Sequence, residues 1–474
     1  MTADWLQPTV FFSLTALVAV LTWAKCRHTV HSSDSSKDYF LAGGSLTWPF
    51  IAGSLLLTNL SAEQIVGMNG AQVMLVAWWE FGAAAGLLVL AKVLIPMYYK
   101  YQCTTTTELL ERRLGDASVR TIVSILFLLG YMFILLPVVL YTGAVFMKSM
   151  FHLQWPVLAI AAVLAAIGLL YAAFGGLRAI AISDTYNGLG LLVMGLAVTV
   201  FAMAAVDWDL SGIPAERLTL WGGSTSDIPW PTLITGMLFI HIFYWGTNMV
   251  IAQRALAAGS VREAQKGIYA AAGFKLLTPL IVVLPGLIAF KLFGDVDDVA
   301  YGRLVAAVLP PWLSGAFAAV IAGAVLSSFN STLNSASALY TCDLHAKYIN
   351  GAADYRRVGQ RVAVVFTLVS LAVVPVFEHA RSIIDTLQRL NGLYSMPVLA
   401  AFVVAVVFGR VNTLAVRIGL AFGVLLYAGF TFVWSPLHYI HLMFITLVST
   451  VALIWLLNRL LGGGGSAIFL PAQS

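Results

Sequence analysis

Thirteen apolar runs divide this 474-residue chain, at approximately 8–23, 48–74, 76–99, 119–150, 155–174, 181–206, 231–253, 266–293, 312–343, 360–377, 382–409, 415–434 and 437–457. About 20 apolar residues cross the hydrocarbon core of a bilayer as a helix, and inside lipid only helices or closed barrels satisfy their own backbone hydrogen bonds. The short alternating strands of a barrel are not seen. Composition agrees, with 60% hydrophobic residues, 10% charged and a mean hydropathy of +0.90, where soluble domains carry about 25% charged residues. The expected fold class is an all-α polytopic membrane protein of about 13 transmembrane helices, with the lipid bilayer as its solvent. The longest polar interruption, 207–230, is too short for a core of its own. Function must lie within the membrane.

The net charge of +5 comes from 26 Lys and Arg against 21 Asp and Glu, scattered singly between apolar runs. That argues against nucleic acid as a partner and speaks about topology instead. Asp4 precedes the first run while Lys25 and Arg27 follow it, the inverse of a signal peptide, so residues 1–30 read as a retained leading helix. With the N-terminus outside, eighteen basic residues fall on the inner side, among them Arg112, Arg113, Arg120 and Arg254, against five outside, Lys148, Arg217, Lys291, Arg303 and Arg381. This is a positive-inside pattern. An odd number of spans then puts the C-terminus and the Gly-rich tail, 461–474, in the cytoplasm. Cys26, Cys103 and Cys342 are odd in number, far apart and outside any metal-binding spacing, so neither a disulfide framework nor a structural metal is expected.

A charge at the middle of a bilayer costs at least about 2.5 kcal/mol on insertion scales, which makes intramembrane ionisable residues functional candidates. Here they are Glu63, Glu80, Lys92, Asp184, Lys275, Asp385 and Arg389. Lys92 can snorkel to the interface, and Asp385 with Arg389 can pair locally at i,i+4. Glu80 and Lys275 lie deep in apolar segments and require either each other or a polar ligand.

Within the second run, five of the seven residues from Thr58 to Gln64 are polar. Back-bonding to the helix can absorb Thr58 and Ser61, but not Asn59, Glu63 and Gln64 as well. A broken helix lining a cavity is expected there, and unwound carbonyls at such breaks coordinate sodium or protons in secondary transporters. The ninth run contributes AVLSSFNSTLNSAS, whose adjacent hydroxyls Ser327 and Ser328 suit a hard monovalent cation that prefers oxygen. Small residues there also permit close helix contact. In the seventh run His241, Tyr244 and Asn248 repeat at helical spacing on one face. Aromatic faces among amides and a carboxylate suit an uncharged, polyhydroxylated solute.

These motifs resemble the sodium/solute symporter family, and within it the bacterial sodium/sugar cotransporter branch. The resemblance rests on DYFLAG (38–43), SLLLTNLSAEQIVGM (54–68), YAAFGGLRAIAISD (171–184), FYWGTNMVIAQRALAAGSVREAQKG (243–267) and LSSFNSTLNSASALYTCD (326–343). It implies a leucine-transporter-type core of two inverted five-helix repeats, 38–205 and 231–410, preceded by one helix and followed by two at 411–460. It also implies that spans two and seven are discontinuous. Carried over by position, the sodium site falls on the carbonyls of Leu57, Leu60 and Ala324 and the hydroxyls of Ser327 and Ser328, with Asp184 close by. The sugar site falls on Gln64, Glu80, Lys275 and Gln388, with Tyr244 as inner-gate aromatic, Asn248 as supporting amide, and Met68 and Trp79 at the outer gate. His241 and Ala83 stand where a galactose-handling relative has Asn and Ser, so the identity of the sugar is open.

The resulting expectation is a symporter, not an enzyme, in the plasma membrane of a bacterium, importing a hexose such as galactose or glucose by alternating access. Sodium is the required ion and no obligatory protein partner is evident. The alternatives are another small solute (an amino acid, an osmolyte, a nucleobase or a carboxylate, for which Arg389 would be the mid-span counter-charge), proton coupling through Asp184 or Glu80, and an intramembrane enzyme. No nucleophile dyad or metal motif supports the last.

Overall fold

The computed structural model describes residues 5–26, 40–151, 153–351, 354–379, 383–408 and 411–461, so the tail beyond 461 lies outside the described residues. The side chains of Glu63, Asp385 and the 171–181 part of the third motif also lie outside them, as do Asp38 and Tyr39 of the first. In chain order the helices that build the membrane body are α1 (Leu6–Cys26), α2 (Trp48–Asn59), α3 (Ala62–Gly70), α4 (Met74–Lys100), α5 (Ala117–Met150), α6 (Val157–Ala205), α7 (Trp230–Thr247), α8 (Met249–Leu256), α9 (Val261–Lys275), α10 (Pro279–Phe293), α11 (Pro311–Tyr348), α12 (Tyr355–Glu378), α13 (Ile383–Val407), α14 (Thr413–Phe432) and α15 (Tyr439–Leu460).

Among the described residues eight helices are long and apolar enough to cross a membrane, or ten if the bent pairs α7–α8 and α9–α10 each count once. The remaining expected spans correspond to the broken pair α2–α3 and to the shorter apolar stretches Leu6–Thr22 and Val157–Leu170, which fall below the length of a full crossing. At 49 residues, α6 would extend about 74 Å if straight, more than one crossing needs. It carries two apolar stretches, and its residues Gly168 and Asn187 meet α11 at Phe329 and Gly323 respectively.

The second run breaks where its polar residues lie. Asn59 ends α2, Leu60 has ψ of 63° and Ser61 has ψ of 169°, so the helical ladder stops and restarts at α3. The last carbonyls of α2 thereby lose their in-helix N–H partners. The seventh run breaks differently. Residues Ile242–Thr247 widen into a π-helix, Asn248 adopts ψ of 123°, and its side chain caps α8 by accepting from the Val250 N–H at 3.1 Å. The chain bends by 48° there. A third bend, of 46° between α9 and α10, was not foreseen. Pro279 cannot donate to the carbonyl four residues back, and the freed Lys275 carbonyl is taken by the Thr278 hydroxyl at 2.6 Å.

Two of the charges assigned to inner loops are instead structural. Arg120 starts α5 and is buried, with Nε donating to Asp343 at 2.9 Å and Nη1 to Glu111 at 2.8 Å, so it joins α5 to the end of α11. Arg254 is wholly buried. The break after Asn248 turns α8 so that the guanidinium points into the protein, towards α2 and α11. Lys92, by contrast, is exposed on α4, in keeping with snorkelling.

Candidate functional site

The Glu80 carboxylate of α4 is completely buried and forms the hub of a polar cluster. It receives Lys275 Nζ at 2.6 Å, the Thr278 hydroxyl and the Gln64 amide. Lys275, equally buried, also donates to Asn59 Oδ1 and lies 5.5 Å from the Trp245 ring centroid. Asn59 in turn donates to the Tyr244 hydroxyl at 3.4 Å. The two ionic charges cancel, so the surface they present is polar and neutral overall. Isolated burial of either charge would cost several kcal/mol.

Through Asn59, Gln64 and Tyr244 this cluster backs a cavity lined by Gln64, Met68, Trp79, His241, Tyr244 and Gln388, with Asn59, Ala83 and Asn391 among its other lining residues. Gln64 Oε1 and His241 Nε2 are buried there without a hydrogen-bond partner. The Trp79 and His241 rings meet edge to face at 5.8 Å. Of the residues assigned to solute, Gln64, His241, Tyr244 and Gln388 line the cavity; Glu80 and Lys275 are fully buried behind it, bonded to its lining residues Gln64 and Asn59, and Asn248 lies elsewhere. Its Oδ1 accepts from the Tyr131 hydroxyl at 2.6 Å as well as capping α8. A regular helix would have put it on the His241 face, but the π-turn rotates the register and the extended residue ends it. Arg389 is also outside this lining and sits over the Tyr439 ring, 5.7 Å from its centroid.

His241 owes its seat to glycine. A Cβ at Gly82 would lie 2.3 Å from its ring, and one at Gly86 would lie 2.5 Å from its carbonyl oxygen. Gly82→Ala is expected to push the imidazole into the cavity, lowering solute affinity about tenfold while costing about 1–3 kcal/mol of stability. Gly86→Ala meets backbone that cannot swing aside and should cost more stability. Thermal unfolding in detergent together with solute half-saturation distinguishes the two.

Leu60 at the α2–α3 break and Ala324 on α11 are buried, and Ser327 and Ser328 of α11 are only 4% exposed with hydroxyl oxygens that make no hydrogen bond. Orphaned alcohols at that depth are costly unless something else binds them. Asp184, 1% exposed, accepts from the Ser54 hydroxyl of α2 at 2.9 Å and shares a cavity wall with Ser327. Leu57 supplies only its backbone to this description. Neutral carbonyl and hydroxyl oxygens with one carboxylate nearby fit a monovalent hard cation better than calcium, which takes more anionic oxygen. Sequence reasoning missed Thr278 and Arg254. The Lys275–Pro279 spacing, which frees a carbonyl beside a charged residue, was the available signal for the first.

A helical membrane body with crossings interrupted at α2–α3, α7–α8 and α9–α10, and a polar cavity lined from the first two breaks, defines a secondary transporter of the leucine-transporter type. Comparison with known proteins gives the family. The sodium:solute symporter family profile matches residues 39–423, and the chain belongs to that family. It is 39% identical to the uncharacterized symporter YidK of Escherichia coli (strain K12) over 89% of this chain and 78% of that one. It is 29% identical to a sodium/glucose cotransporter of Vibrio parahaemolyticus over 92% and 87% of the respective chains. A solved structure of a Na+-coupled sialic acid symporter shares the fold, with a TM-score of 0.84, 18% identity and coverage of 98% and 99%. The chain is accordingly a multi-pass membrane transporter, not an enzyme, and sodium is its coupling ion.

Proposed function

We propose that the cargo is an uncharged polyhydroxylated solute, a sugar of hexose size such as glucose or galactose, imported with sodium by alternating access. The observation that carries this reading is the neutral polar cavity. Its lining mixes Gln64, Asn59, Gln388 and Asn391 with the rings of Trp79, His241, Tyr244 and Trp245 and holds no Lys or Arg to attract a carboxylate, while the Glu80–Lys275 pair behind it is internally compensated. Rings pack on sugar C–H faces and amides bond hydroxyls. The placement of Arg389 over Tyr439 weakens the carboxylate alternative.

In this reading sodium binds the carbonyls of Leu57, Leu60 and Ala324 with the hydroxyls of Ser327 and Ser328, and so orders the break that presents Asn59 and Gln64 to solute. Each ligand then raises the other's affinity. Met68 and Trp79 close the outer side and Tyr244 the inner. The two inverted repeats correspond to residues 38–205 and 231–410, in a bacterial inner membrane with the N-terminus outside and the C-terminus in the cytoplasm.

Uptake into proteoliposomes with an inward sodium gradient tests this. Radiolabelled glucose should accumulate only with the gradient, and unlabelled galactose should compete while an amino acid does not. Gln64→Ala should lower solute affinity about tenfold, the loss of one or two buried hydrogen bonds, with sodium affinity nearly unchanged. Equal competition by the amino acid would overturn the sugar assignment.

A further inference from the structure

Arg254 is buried to the last atom, yet no part of the solute cavity or the sodium ligands includes it. Its Nε donates to Thr58 Oγ1 on α2 at 3.2 Å and its Nη2 to Ser331 Oγ on α11. Nη1 has no hydrogen-bond partner. Thr58 lies just before the break at Leu60, and Ser331 follows Ser328 and Ser327 by three and four residues, on the same face of α11. One guanidinium therefore spans the two helices that the sodium ion would join, about one turn away. The neighbouring Gln253 adds a parallel tie, accepting from the Ser335 hydroxyl at 2.7 Å and donating to the Phe40 carbonyl at 2.8 Å. Thus α8 grips α11 at two points one turn apart. Asp184 accepts from Ser54 at 2.9 Å, and Ser54 lies one turn before Thr58 on the same face of α2, so carboxylate and guanidinium sit along one side of α2 with opposite charges, to which sodium would add a net positive one.

We propose that Arg254 is a resident cation that replaces sodium in the empty carrier, holding α2 against α11 and compensating Asp184 so that the unloaded protein can return to receive its ligands. A symporter must make that return without its ion, and a bare buried carboxylate would oppose it. The same charge repels sodium, so the ion is bound less tightly than its oxygens alone would allow and is released more readily. This inference rests on the sodium site proposed above.

The test compares two kinetic modes in proteoliposomes. Net uptake of radiolabelled glucose requires the empty carrier to return, whereas glucose exchange with saturating sodium on both sides uses only the loaded carrier. For Arg254→Gln, net uptake should fall about tenfold while exchange stays within about twofold of the parent. Half-saturation of radiosodium binding should move to about tenfold lower sodium, the size of a unit charge removed from about a helical turn away in a medium of intermediate dielectric. Arg254→Lys should restore much of the net rate and the weaker sodium affinity. Ser331→Ala, which keeps the charge and loses one bond, covers the case in which Arg254→Gln does not fold, and should slow net uptake more than exchange. Equal loss in both modes, or weaker sodium binding in Arg254→Gln, would overturn the proposal. If Ser328→Ala instead leaves sodium affinity untouched, the sodium site itself is misplaced, which separates the two failures.

Discussion

Ser328→Ala is expected to uncouple solute uptake from sodium. One hydroxyl oxygen bound to a charged partner contributes about 2 kcal/mol, so its removal should raise the sodium concentration for half-maximal uptake roughly 30-fold. The orphaned Ser328 hydroxyl makes this sharper, because it has no protein bond whose loss would destabilise the fold. The measurement is sodium titration of uptake alongside thermal unfolding of the same preparation. A variant with unchanged stability and unchanged sodium dependence would remove Ser328 from the site.

The second large effect lies at the buried pair. Glu80→Gln leaves the Lys275 ammonium without its counter-ion in a place where both side chains are fully shielded, a loss of about 3–5 kcal/mol. Against a typical folding free energy of about 5–15 kcal/mol, that should appear as a large fall in thermal stability as well as in uptake. Glu80→Gln combined with Lys275→Met removes both charges and should recover most of the stability, since an apolar replacement of a buried pair is often neutral. Solute affinity should stay low in the double variant, because the hydrogen bonds that orient Gln64 and Asn59 have gone. Parent-like affinity in the recovered protein would mean that the pair is scaffolding alone.

Much of the cavity was legible in the chain because lipid makes polar residues conspicuous. Glu80, Lys275, Gln64, His241 and Tyr244 stand out as misfits in apolar runs; the structure places Gln64, His241 and Tyr244 around one space and packs the Glu80–Lys275 pair behind it. Asn248 stood out as well and yet belongs to a cap, since periodicity assumes a regular helix and the π-turn at 242–247 is not one. Arg254 was read as an interfacial charge because it follows an apolar run. Its burial depends on the direction α8 takes after the break, which local pattern does not encode. Thr278 was hidden for a related reason: its partner Glu80 is 198 residues away.

The amino-acid order alone determined the solvent of this protein, its many helical crossings and the site of its first rupture, because insertion into hydrocarbon is governed residue by residue by hydropathy and backbone satisfaction. The tertiary structure decided which misfits face one another and which are left alone: the pairing of Glu80 with Lys275, the unpartnered hydroxyls of Ser327 and Ser328 on α11, and the guanidinium bridging α2 to α11. Those relations depend on how separate helices turn and pack, and helix orientation is a property of the assembled bundle.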